Sequence, residues 1–498
     1  MTSRPGDSDN ASPADDATGA ASADDRASSG HVVSARDRSD GGGSGDRSPA
    51  PSSPRSLRGH ADFRRLWSAQ AVSAFGSRIT RTALPIIAVA NLGVPENVVG
   101  WLMGLQLAPA VLLSLLAGGF VDRGSKRRIL IAADLIRAVL VMSISLAWMF
   151  GVLDIIHVIV VGAVVGGASA LDQITDVAYL PALIGKDQLV EGNAKLEVTE
   201  AVAEITGPAS AGGLIWLLGA PLVVVVDGLA YLWSAMMLHR ITATERPSSD
   251  PSTSFDSAGR QRSRVVHDLR VGLGAVFRHP HLRAIVIAHM VWAISGGFFI
   301  SLYTPYCLRE LDLSTATFGV VIAMGGIGSL AGALLSRTMT RWFGLGKTMV
   351  VACAMSLACG LFIPLAGGPW LGGSLVMTLA LLFAHQLFSD GFAVAFLIQA
   401  VTLRQTVLPD RVLGRANAAI HTCTTGLLAI SAVIAGQIGD SIGLRDGVWV
   451  GVLVGLLAPL ALLPLLKLKE MPPPVAGAHP PSTSLVPGEA SYQVTDCS

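Results

Sequence analysis

The stretch Gly118–Leu130, "GGFVDRGSKRRIL", places one acid, Asp122, and four basic residues, Arg123, Lys126, Arg127 and Arg128, between two long apolar runs. When the flanking runs can each cross a bilayer, such a cluster marks a short loop at a membrane face. Composition supports this. Of 498 residues, 51% are hydrophobic and 14% charged, with a mean hydropathy of +0.55, which is too little polar surface to cover a soluble globule of this size. A formal net charge of +1 gives no overall basic field for nucleic acid, so the position of the charges carries the information.

Working outward, apolar runs occupy 63–91, 97–121, 129–150, 155–183, 192–218, 220–240, 283–307, 314–340, 347–366, 373–402, 413–439 and 446–466. Each reaches the roughly 20 helical residues that cross a hydrocarbon core of about 30 Å. The fold class expected is therefore all-α: a polytopic membrane protein with twelve transmembrane helices in two sets of six. Its parts are a disordered tail (1–60), a first half (61–240), a linker (241–282), a second half (283–468) and a second polar tail (469–498). No charged-then-apolar-then-small leader precedes the first run, which is read as a retained span.

The short loops alternate in charge. Basic residues follow the second run, the fourth (Lys186, Lys195), the eighth (Arg337, Arg341, Lys347) and the tenth (Arg404, Arg411, Arg415), whereas "NLGVPEN", "LGAPL" and "AGGPWLGG" carry none. The positive-inside rule then puts both termini in the cytoplasm of a multi-pass cell-membrane protein. The Arg-rich linker falls on the same side, where "HDLRVGLGAVFRHPHLR" reads as an amphipathic, surface-lying segment.

Sliding the chain against itself by 224 positions sets "LIGKDQLVEGNAKL" (Leu183–Leu196) over "VLPDRVLGRANAAI" (Val407–Ile420) and carries Gly212 onto Gly436. The match falls where each half passes from its fourth helix to its fifth, which implies two parallel halves. "GGFVDRGSKRR" resembles the signature between helices two and three of the major facilitator superfamily at Gly118, Asp122, Arg123 and the basic group ending at Arg128, with the second glycine one place early. "GPASAGG" (Gly207–Gly213) resembles the antiporter-type signature of the fifth helix. "SAFGSRITRTALP", "DLIRA" and "RQTVLPDRVLGRANA" are similar to the drug–proton antiporter group that includes macrolide-efflux proteins and the enterobactin exporter.

The resemblance implies that Asp122 bonds to the start of the eleventh helix, Gly414, Arg415 and Asn417, as a cytoplasmic latch between the halves, with Arg123 and Arg128 beside it. Gly118 and Gly119 suit close helix approach, and a carboxylate suits a helix N-terminus. In the fifth helix Pro208 removes a backbone donor among Gly207, Gly212 and Gly213, so a bend is expected there, with packing alone as the other reading.

Ionisable groups at membrane depth are costly unless paired or wet. Arg78 and Arg81 stand about 18–22 Å along the first helix at 1.5 Å per residue. Asp172 and Asp176, and Glu200 and Glu204, are paired at i,i+4 on one face each. The resemblance places the first and fourth helices on a central cavity shared by Arg78, Arg81 and Asp172. Asp172 or Glu204 is expected either to couple a proton or to sit in a static ion pair. Asp390, with His385 nearby, is the isolated deep acid of the second half. Asp134 and Arg137 read as structural support one turn into the third helix, and Asp227 has no assigned role.

Five single cysteines, without CxxC or His/Cys ligand spacing, give neither a disulfide framework nor a metal site. The sequence contains no P-loop, HExxH or GxSxG, so ATP-driven pumping and hydrolysis have no residues to use, and no cofactor beyond a proton gradient is called for. The expected function is secondary export, by proton antiport, of a hydrophobic or amphipathic small molecule such as an antibiotic, a natural product or a siderophore-like compound. Uptake, lipid movement and a transport-incompetent receptor are the alternatives. The expected partners are that small molecule and the lipid bilayer, with no nucleic acid, and the superfamily default is a monomer.

Overall fold

The computed structural model describes residue 57 and residues 60–116, 125–184, 188–242 and 258–468. Within them the chain is helical throughout and no strand occurs. The predicted tails, apart from Leu57 and His60, lie outside the described residues, as do Gly118, Asp122 and Arg123 of the predicted latch.

The first half contains α1 (Ala61–Ile86), α2 (Glu96–Leu116), α3 (Lys126–Met149), α4 (Ile155–Ile184), α5 (Leu189–Leu218) and α6 (Ala220–His239). The linker supplies α7 (Ala258–Arg278). The second half contains α8 (Pro280–Pro305), α9 (Thr315–Phe343), α10 (Leu345–Cys359), α11 (Leu375–Ala384), α12 (Asp390–Val407), α13 (Asp410–Ile442) and α14 (Leu444–Gly455); α11 and α12 form one rod joined by a π-turn at His385–Ser389. A rod matches each of the twelve apolar runs. Among the described residues ten helices are long and apolar enough to cross a membrane unaided, and the bent α5 makes eleven. The remaining rod, α1, has the length but carries Arg78 and Arg81 among Ser, Thr and Gln, which lowers its hydropathy.

Two local devices repeat between the halves. Pro85 and Pro305 each remove a backbone donor near a helix end, and in both places the ladder widens to a π-turn, Ile87–Asn91 and Tyr306–Glu310. The closing bonds are equivalent: Leu92 N to Ile87 O at 3.1 Å and Leu311 N to Tyr306 O at 3.0 Å. Gly93 (φ 65°) and Asp312 (φ 49°) then turn the chain in the left-handed region. Further along, α5 ends on Gly219 N to Ile215 O, and α13 ends on Gly443 N to Gly439 O, positions related by the 224-residue shift. The two halves are thus copies in structure well beyond the short stretch that reveals them in sequence.

The bend expected in the fifth helix is present. Glu191–Glu204 and Thr206–Leu218 meet at 44°. Pro208 has no N–H for the carbonyl of Glu204, four residues back, so the ladder is interrupted where the axis turns.

The halves meet along two glycine seams. A Cβ added at Gly212 of α5 would lie 2.1 Å from the Gly319 carbonyl oxygen of α9, and one at Gly100 of α2 would lie 3.0 Å from Gly436 Cα of α13. Backbone therefore touches backbone, which only glycine permits. Both seams, the Arg309–Glu96 ion pair (2.9 Å) and the Asn97–Asp440 hydrogen bond (3.2 Å) lie toward the ends of the rods remote from α7.

Candidate transport site

Two charge clusters sit inside the first half. In one, Arg78 of α1 donates from Nη2 to Glu200 Oε1 at 2.5 Å and also pairs with Glu204, both on α5. The arginine is almost wholly buried while the two glutamates are half exposed, and its aliphatic stem lies against Gly207, where an added Cβ would meet Arg78 Cγ at 2.6 Å. Arg81, three residues on, is exposed.

The second cluster is centred on Arg137 of α3. Its Nη2 stands 2.5 Å from Asp134 Oδ1 and 2.9 Å from Asp172 Oδ2 of α4, and the guanidinium lies 4.4 Å above the Tyr231 ring of α6. Side-chain exposure is 3% for Arg137, 1% for Asp134 and 17% for Asp172, so Asp172 is the member that opens outward. Asp176, a turn further along α4, faces Asp172 and Gln70. Behind them Asp227 of α6 is fully buried against Gly76, with neither carboxylate oxygen hydrogen-bonded among the described residues.

This partition corrects two sequence expectations. Asp172, expected on one cavity with Arg78 and Arg81, takes Arg137 as its ion-pair partner, because α4 packs on α3 while α1 packs on α5 and α6. Asp134 and Arg137 are more than two turns inside α3, which begins at Lys126, and form a buried ion pair rather than a support at its entrance. The i,i+3 spacing of "DLIRA" within a 24-residue apolar helix was the available signal. The sequence singled out Asp227 without a role, and nothing in it pointed to the Glu96–Arg309 pair, whose partners come from different rods.

In the second half, helices α8, α10, α11–α12 and α14 enclose a cavity of about 180 Å³. Trp292, Phe299 and Tyr303 line it from α8, Ser356 from α10, and His385, Ser389 and Asp390 from the π-turn and α12. Phe299 and Tyr303 stack at 4.6 Å between ring centres. His385 donates from Nδ1 to the Cys359 carbonyl at 3.0 Å, which leaves Nε2 as an acceptor.

Of the other predicted residues, Gly414, Arg415 and Arg128 are exposed and Asn417 is half-buried. The eleventh predicted span begins at Asp410, one turn before Gly414, so Gly414–Asn417 are not its first residues as expected. The linker helix α7 packs beside this segment, with Gly272 against the Arg415 backbone. Gly213 faces open space.

Two repeated halves of apolar helices with ion clusters inside them are the architecture of a membrane carrier. The family model of the Major Facilitator Superfamily matches residues 66–425, and the chain belongs to that superfamily. It is similar to the "Enterobactin exporter EntS" of Salmonella typhi, 23% identical over 436 residues that cover 84% of this chain and 96% of the relative. It is also similar to the "Multidrug efflux pump Tap" of Mycolicibacterium fortuitum, 24% identical over 346 residues, 68% of this chain and 79% of the relative. Among solved structures it shares its fold with a bacterial homologue of the iron transporter ferroportin in an inward-facing state, with TM-score 0.60 and 16% identity, over 83% of this chain and all of the other.

Proposed function

We propose that this carrier exports a hydrophobic or amphipathic small molecule, such as an antibiotic, a natural product or a siderophore-like compound, in exchange for protons. It would sit in the cell membrane with both termini in the cytoplasm. The observation that carries the reading is Arg137 held between Asp134 and Asp172. Two carboxylates share one guanidinium, so this trio holds one uncompensated negative charge at membrane depth, even before the neighbouring Asp176 and Asp227 are counted. A proton on Asp172, the accessible member, removes that charge. It also turns an acceptor into a donor, which loosens the α3–α4 contact through Arg137. Arg78, Arg81, Glu200 and Glu204 balance in charge and would serve as polar contacts for cargo passing between the halves.

The inter-half contacts lie away from α7, which suits a stage open toward the face bearing the termini. The Asp122 latch to Gly414–Asn417 would close that face in the opposite stage, with the Pro208 bend as the flexing point. Direction and class are supported by two relatives that are exporters by name.

The test is substrate accumulation in cells expressing the chain, screened across antibiotic classes with and without a protonophore, beside Asp172→Asn and Glu204→Gln. Lower accumulation that is lost with the protonophore and in Asp172→Asn is the expected result. Export indifferent to the proton gradient would remove the coupling claim, and raised accumulation would favour uptake.

A further inference from the structure

The second-half cavity presents an arrangement that the proton cluster of the first half does not explain. Asp390 opens onto it, yet no described side chain forms an ion pair or hydrogen bond with its carboxylate. The space it occupies is reserved: a Cβ added at Gly325 of α9 would meet Asp390 Oδ2 at 2.2 Å, with the Gln386 amide nitrogen also close at 3.0 Å. The π-turn His385–Ser389 breaks the rod one residue before Asp390 and brings His385, Ser389 and Asp390 to the same wall. Such turns concentrate at functional sites because the extra residue re-aims side chains.

The chemistry of that wall is one-sided. His385 spends its Nδ1–H on Cys359 and offers only a lone pair, Asp390 offers two acceptor oxygens, and the hydroxyl of Ser389 is committed as donor to the Ser356 carbonyl at 2.9 Å. No Arg or Lys lines the cavity. The opposite wall is aromatic. Trp292, Phe299 and Tyr303 follow one another along one face of α8 at spacings of seven and four residues, with Tyr303 5.9 Å and Phe299 5.8 Å from His385 between ring centres. With the Tyr303 hydroxyl and the Trp292 indole N–H as neutral donors, a pocket that holds Asp390 and no cation and is faced with π systems favours a positively charged donor and disfavours an anion.

We propose that this cavity is a recognition site for a compact aryl- or alkyl-ammonium group, whose N–H bonds go to Asp390 and His385 Nε2 and whose apolar body lies against Trp292, Phe299 and Tyr303. The site is separate from the Arg137 cluster. It rests on the export reading only for the statement that the bound amine is cargo, because occupancy is defined on the purified protein without transport.

The probe is 2-phenylethylammonium, titrated calorimetrically into the full chain in detergent, with 3-phenylpropan-1-ol and 3-phenylpropanoate as neutral and anionic counterparts of similar shape. The cation is expected to bind and the carboxylate not. Removing one partner of a buried charge pair weakens binding about thirtyfold or more, so Asp390→Asn should raise the cation's Kd by that factor while leaving the alcohol's unchanged. Phe299→Leu should cost the cation about two- to fivefold through loss of a π face. Gly325→Ala keeps every charge but displaces the carboxylate, and should weaken the cation by tenfold or more with the thermal midpoint of unfolding still measurable. Equal affinity of wild type and Asp390→Asn for the cation would overturn the proposal, as would equal affinity of wild type for cation and carboxylate. A transport assay that fails while these titrations succeed would overturn the export reading and leave the site standing.

Discussion

Arg309 Nη1 stands 2.9 Å from Glu96 Oε1, and its Nη2 bonds the Val94 carbonyl at 2.6 Å, so one side chain of the second half holds the entry of α2 in the first. The pair is partly exposed, at 29% and 15% of side-chain surface, which limits its worth to roughly 1 kcal/mol. Arg309→Gln should therefore not unfold the protein but should loosen the seam beside it. Maleimide labelling of a cysteine at Ala432, buried beside Gly100, is expected to rise about fivefold in Arg309→Gln. No change would mean that the glycine seams alone keep this end closed.

Gly212 and Gly213 are neighbours with opposite expectations. A methyl at Gly212 meets the Gly319 carbonyl, whereas one at Gly213 meets nothing within 4 Å. Gly212→Ala should lose about 1–3 kcal/mol by overpacking. Gly213→Ala should gain up to about 1 kcal/mol of helix propensity. Thermal unfolding in detergent distinguishes them.

Arg137→Met leaves Asp134 and Asp172 facing each other without their cation. Removing one member of a buried ion pair costs about 3–5 kcal/mol, so this variant should fold poorly. Asp172→Asn keeps Arg137 paired with Asp134 and should retain a normal thermal midpoint while losing proton-driven export.

Asp312 occupies a left-handed position that its structural twin fills with Gly93. Asp312→Gly should raise stability by about 0.5–1 kcal/mol, and Gly93→Ala should lower it by a similar amount. A shift of the same sign in both would contradict the equivalence of the two turns.

Much of this architecture could be read from the chain. Long apolar runs, alternating loop charge and one short self-match indicate two six-helix halves, because membrane solvation leaves few alternatives to a helix. The Pro208 bend was also legible, since a missing N–H acts locally. The pairing of charges was not. Arg78 lies as far along its helix as a partner of Asp172 would, and only the packing of α1 on α5 sends it to Glu200 and Glu204 instead. Asp390 was recognised as a lone acid, but its pocket is assembled from four rods over 160 positions of sequence, which periodicity does not reveal.

The central claim, that a titrating Asp172 beside Arg137 links proton movement to export, is tested most directly in sealed proteoliposomes carrying an interior pH dye. For any substrate found in the screen, adding it should drive proton movement across the membrane in wild type, and none should follow in Asp172→Asn at equal protein incorporation. Undiminished proton movement in Asp172→Asn would contradict the account.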